Sequence, residues 1–129
     1  MQVQVRATFE NTIASLKFTA VARTLLLTAE SVGQAFESLS DDLVSSVSEG
    51  LVSGSNESFW ENNPSQVIGW SIEDLFQASI DLRRELSQTR IEQSGSNVLI
   101  ISDVESVPFG SGPLEALAEA CGAVSFTIE

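Results

Sequence analysis

The residues best placed for chemistry are Asp103 and Glu105, which follow the apolar run Val98-Leu99-Ile100-Ile101 and precede the turn Gly110-Ser111-Gly112. Carboxylates just past the end of a buried strand can hold a divalent cation, and free amides at a glycine-rich helix start can hold an anion. The pattern is incomplete. No third glycine stands at the spacing a dinucleotide-binding turn needs, and no P-loop lysine is present. Pro113, as a first helical residue, gives the same segment an ordinary reading as helix entry.

The rest of the chain lacks most of the usual catalytic groups. There is no histidine, which removes the common base of a nucleophile–base–acid triad and the commonest metal ligand. Tyrosine is absent, and Lys17 is the single lysine. One cysteine, Cys121, excludes an internal disulfide and a multi-cysteine zinc site. With no basic residue beside it in sequence, it reads as a small buried apolar side chain rather than a reactive thiol. Serines are abundant, but none sits in a Gly-x-Ser-x-Gly elbow. With 18 acids, any carboxylate pair can be nominated as a glycosidase acid and base, so that signal has no weight. The expectation is a chain that is not an enzyme, with no catalytic residues, no metal and no cofactor.

Charge points the same way. The net charge is −12, and it is laid out unevenly. Arg6, Lys17 and Arg23 face one acid, Glu10, in residues 1–23, whereas residues 24–82 hold ten acids and no base. Arg83, Arg84 and Arg90 form a second basic segment, and residues 91–129 are again free of bases. Such a surface repels phosphate and anionic lipid, which argues against direct nucleic-acid or membrane binding. It favours steering toward a basic protein. No apolar run approaches the roughly 20 residues that cross a bilayer, and the alternating Met-Gln-Val-Gln-Val-Arg start offers no signal-peptide pattern. The expected compartment is the cytoplasm, or an assembled virion.

Length and a 43% hydrophobic content suit one globular domain spanning residues 1–129. Residues 2–9 alternate, with Val3, Val5, Ala7 and Phe9 on one side, and predict a half-buried strand. Ala14, Leu16, Phe18 and Ala20 alternate again after the turn Glu10-Asn11-Thr12, so 2–9 and 13–20 predict a hairpin, with 21–27 suiting strand or helix. Leu25, Ala29, Val32, Phe36, Leu39, Leu43 and Val47 carry helical spacing, as one helix or two breaking near Ser40. Ser71 caps a second helical region over 71–92, closed by Arg83, Arg84 and Arg90, with Arg83 and Arg90 on one face. Val98-Leu99-Ile100-Ile101 predicts a central strand. A helix from Pro113 to the stop at Gly122 then leads to a last strand over 123–128. The fold class is α+β (or α/β): an N-terminal hairpin, two amphipathic helical regions, and a C-terminal β-α-β crossover whose strands are parallel neighbours in a mixed sheet covered by helices.

The long irregular stretch 53–70 holds Phe59, Trp60 and Trp70, aromatic anchors for a partner. With Arg83, Arg84 and Arg90 they are the expected partner-binding residues. Segregated charge and an aromatic loop predict a structural or assembly subunit, homo-oligomeric or within a multi-protein particle such as a phage virion neck, tail or capsid. The alternative is an acidic inhibitor or immunity-type protein that covers a basic active site.

Overall fold

A computed structural model describes residues 1–53, 71–105 and 110–129. The expected loop anchors Phe59, Trp60 and Trp70 lie outside these residues. The class is α+β: a four-stranded sheet carries five helices among the described residues.

The first strand, β1 (Gln2–Phe9), buries Val3, Val5, Ala7 and Phe9 as its alternation requires. The next segment is not a second strand. Residues 13–20 belong to helix α1 (Thr12–Arg23), capped by Asn11, whose side chain accepts from the Ala14 amide at 2.9 Å. The inward face of α1 is Ser15, Phe18, Thr19, Val21 and Ala22, a helical set that includes two polar residues. Both polar residues find partners: the Thr19 hydroxyl donates to the Ser15 carbonyl at 2.8 Å, and the Ser15 hydroxyl lies 2.8 Å from the Thr12 carbonyl of its own helix and 2.7 Å from the Gly95 carbonyl. Because these two face the core, the apolar residues alone mimic a period of two. The N-terminal hairpin is therefore replaced by a strand–helix unit.

Helix α1 runs into a π-helical turn (Thr24–Thr28) closed by the Ala29 amide on the Thr24 carbonyl at 2.7 Å. Ser31 then caps α2 (Val32–Ser38), and the Ser40 hydroxyl accepts from the Leu43 amide to start α3 (Asp41–Ser53). The break near Ser40 is as the sequence suggests, with Leu39 extended between the helices. Ser71 caps α4 (Ile72–Leu82) through the Asp74 amide at 3.1 Å.

That helix ends ten residues before the expected 92. Successive i→i+3 bonds from Arg83, Arg84 and Glu85 tighten the last turn, and the chain leaves as β2 (Leu86–Ser94). A two-residue turn, with Gly95 at φ +57°, returns it as β3 (Asn97–Val104). The hairpin of this fold is β2–β3. After helix α5 (Gly112–Ala120), which stops at Gly122 with φ +95°, comes β4 (Ala123–Ile128).

The sheet order is β2-β3-β1-β4, and every described pairing is antiparallel rather than mixed. The crossover through α5 exists, but its strands are not neighbours: β1 lies between β3 and β4 and pairs with both. One sheet face, carrying Val3, Val5, Ala7, Phe9, Val98 and Ile100, is covered by the helices. Phe18, Leu25, Leu75, Phe76, Leu114 and Leu117 from the helical layer are fully buried in the same core, each contributing about 1.5–3 kcal/mol relative to exposure. The other face exposes Arg6, Arg90 and Glu92, beside Leu99 and the buried Ile101.

Candidate interaction surfaces

Asp103 and Glu105 do come together with other polar groups. At the end of β2 and β3, a cleft of about 490 Å³ is lined by Met1, Arg84, Glu85, Ser87, Asp103 and Glu105 among others. The glycine turn nearby does hold an anion, and it is the chain's own: the Gly110 amide donates to a Glu85 carboxylate oxygen at 3.1 Å. Ser111, at the start of α5, makes no side-chain cap, so Glu85 supplies acceptor charge there from another part of the chain. Among the described residues no three His, Cys, Asp or Glu side chains gather where a metal ion could sit.

The three arginines do not form one patch. The helix that was to align Arg83 with Arg90 ends at Leu82, so the two occupy a turn and a strand. Arg83 is half-buried and donates to the Ala29 carbonyl, clamping the end of α4 onto the turn after α1. Arg84 is exposed at the cleft. Arg90 lies on the open sheet face, 3.9 Å from Glu92 in a solvent-exposed pair of small energetic weight. Arg23, likewise, donates to the Ile91 carbonyl at 3.3 Å and ties α1 to β2.

Cys121 is partly buried at the end of α5, and burial pushes its thiol up to about 12, with Lys17 pulling weakly the other way. A thiol so raised is almost wholly protonated at neutral pH and a poor nucleophile. Glu115, in the first turn of α5, is also raised by burial, against the helix dipole that favours its ionised form.

The surface that the sequence reading missed is on α1. Once 12–23 is a helix, Ile13 and Leu16 fall outward, 68% and 50% exposed, with Ala20 half-buried after them and Leu27 of the π-helical turn 41% exposed. The spacing 13, 16, 20, 27 is a helical seam opposite the one facing the core. Lys17 sits on the same side and donates to the Ser46 hydroxyl at 3.3 Å, linking α1 to α3. A helix apolar on both sides is the signal, but it shows only after the segment is recognised as helix.

Acids dominate the helical layer. Glu30, Glu37, Asp41, Asp42, Glu49, Glu73, Asp74 and Asp81 are all exposed. Arg90–Glu92 is the one ion pair among the described residues. No helix among them is long and apolar enough to cross a membrane. Comparison with protein families, curated proteins and solved structures finds no match to this chain.

Proposed function

We propose that the chain is a non-catalytic assembly subunit that acts through protein–protein contacts within a larger particle, of which a virion neck, tail or capsid is one instance. The observation that carries the reading is the outward seam of α1. A helix whose second face exposes Ile13 and Leu16, continued by Leu27 in the π-helical turn, presents apolar anchors of the kind that dock into a partner's groove. The shortage of reactive groups supports it from the other side: the cleft beside Asp103 is lined by carboxylates, an arginine and a serine, with no histidine or lysine among its lining residues.

The test combines light scattering at rising concentration with affinity capture, for the wild type and the double variant Ile13→Asp/Leu16→Asp. The expected result is a defined larger species, or one retained protein, that the double variant loses while its circular dichroism is unchanged. A clean monomer that retains nothing the variant does not would sink the proposal.

A second reading, an acidic protein that covers a basic partner, is favoured by the eight exposed acids on and around α2, α3 and α4, none of them in an ion pair among the described residues. Its contact would weaken sharply with added salt, whereas docking through α1's apolar seam would be far less sensitive.

A further inference from the structure

The two edges of the sheet are built differently. The β2 edge is guarded: its register slips between Ser87 and Arg90, Gln88 adopts φ +51°, and Arg90 and Glu92 place charges along it. These are the devices by which proteins discourage edge-to-edge pairing. The β4 edge lacks them over its last four residues, the one irregularity being where Ala123 meets Phe9. Of the four strands, β4 alone contains no charged residue.

The ladder fixes which backbone groups of β4 are free to pair outward. Gln4 and Glu129 exchange both hydrogen bonds, at 3.0 and 2.8 Å, and the register continues as Arg6 with Thr127. In an antiparallel pair these bonds come at alternate residues, so Glu129, Thr127 and Ser125 face β1. Phe126 and Ile128 turn their N–H and C=O groups to the outer edge, and Val124 is the extra residue between the Thr8–Ser125 and Phe9–Ala123 pairs. Among the described residues nothing pairs there, and Val124 and Ile128 are 43% and 42% exposed.

We propose that this edge is a homotypic interface, at which β4 of a second copy pairs antiparallel about a two-fold axis at Phe126 and joins two four-stranded sheets into one of eight. The occupant is a second copy because the strand is self-complementary in this register. Phe126 meets Phe126 of the partner copy and Ser125 meets Thr127, while Val124, at the register shift, comes beside Ile128. Glu129 falls opposite Ala123, so no like charges face each other although each chain carries −12. The pairing makes specific the assembly reading above and rests on it only in being a protein contact; α1 takes no part.

Sedimentation of the intact chain from micromolar to millimolar concentration tests it. The expected result is a reversible dimer that tightens as salt is added, because the whole-chain electrostatic effect is repulsion. Ile128→Glu should lower the association at least tenfold. Val124→Lys combined with Ile128→Glu should restore it, now with an affinity that falls with salt, since each new lysine comes beside a new glutamate. If Ile128→Glu does not fold, amide exchange of the wild type takes its place: the Phe126 and Ile128 amides should gain protection as concentration rises. A wild type that stays monomeric in high salt overturns the proposal. So does a dimer indifferent to the β4 changes or to exchange at these amides. A dimer lost only in Ile13→Asp/Leu16→Asp overturns β4 while upholding α1, and a β4 dimer without any α1-dependent contact does the reverse.

Discussion

Replacing Gly50 by alanine sets two physical effects of opposite sign against each other. Within a helix, Gly→Ala normally stabilises by about 1 kcal/mol, through lower backbone entropy in the unfolded chain and better shielding. At Gly50, however, a Cβ would stand 1.9 Å from the Ala120 carbonyl oxygen and 2.7 and 2.8 Å from its carbonyl carbon and Cα. These are backbone atoms of α5, so no side chain can rotate away. Restoring an ordinary separation of about 3.5 Å means parting α3 from α5 by roughly 1.5 Å at their crossing. That movement loosens packing around Val47, Leu117 and Ala120, all buried. Overpacking of this kind costs about 1–3 kcal/mol and at times more, so the clash outweighs the propensity gain. The expected net loss is about 2 kcal/mol, a fall of roughly 8 °C in Tm for a chain of this size. Gly33 in α2 is the control: its added Cβ meets only the Ser31 hydroxyl at 3.8 Å, an ordinary contact. Gly33→Ala should therefore raise stability by about 0.5 kcal/mol. Urea and thermal unfolding of both variants read the pair. A Gly50→Ala protein as stable as the wild type would refute the close crossing of α3 and α5.

Ser15 is wholly buried, and its hydroxyl lies 2.7 Å from the Gly95 carbonyl and 3.1 Å from the Gln93 side-chain nitrogen, joining α1 to the β2–β3 turn. Ser15→Ala removes both contacts while Gln93 keeps its own bond to the Gly95 carbonyl at 2.8 Å, and should cost about 1 kcal/mol; a urea midpoint unchanged from wild type would contradict this. Glu115→Gln tests the raised carboxyl pKa. Since the folded chain holds that proton more tightly than the unfolded one, the group favours folding in acid, and this support is lost as pH rises through the folded pKa. Glutamine should thus stabilise the protein at neutral pH and make little difference in acid. Equal effects at both pH values would show that desolvation is not what raises it.

Where one class of residue carried the pattern, the sequence was readable. The alternation of Val3, Val5, Ala7 and Phe9, the Ser71 cap, the break near Ser40 and the Gly122 stop all appear in the structure. Residues 13–20 misled because Ser15 and Thr19 take inward positions by bonding within their own helix, a choice invisible to hydrophobic period. The helix from Ser71 was drawn too long because no glycine or proline marks its end at Leu82; β2 is decided by its pairing with β3. That error also produced the supposed alignment of Arg83 with Arg90. Asp103 and Glu105 line one cleft, but the carboxylate at the glycine turn is that of Glu85, 25 residues away in sequence.

The central place of β1 bears on how the molecule is made. Both of its neighbours, residues 97–104 and 123–128, are synthesised long after residues 2–9. Until then an apolar strand must wait without a partner while α1 and the later helices already can form. Contacts this far apart in sequence slow folding and lengthen the time an unpaired strand is open to wrong partners. On a ribosome, the four-stranded sheet is complete only once β4 has emerged.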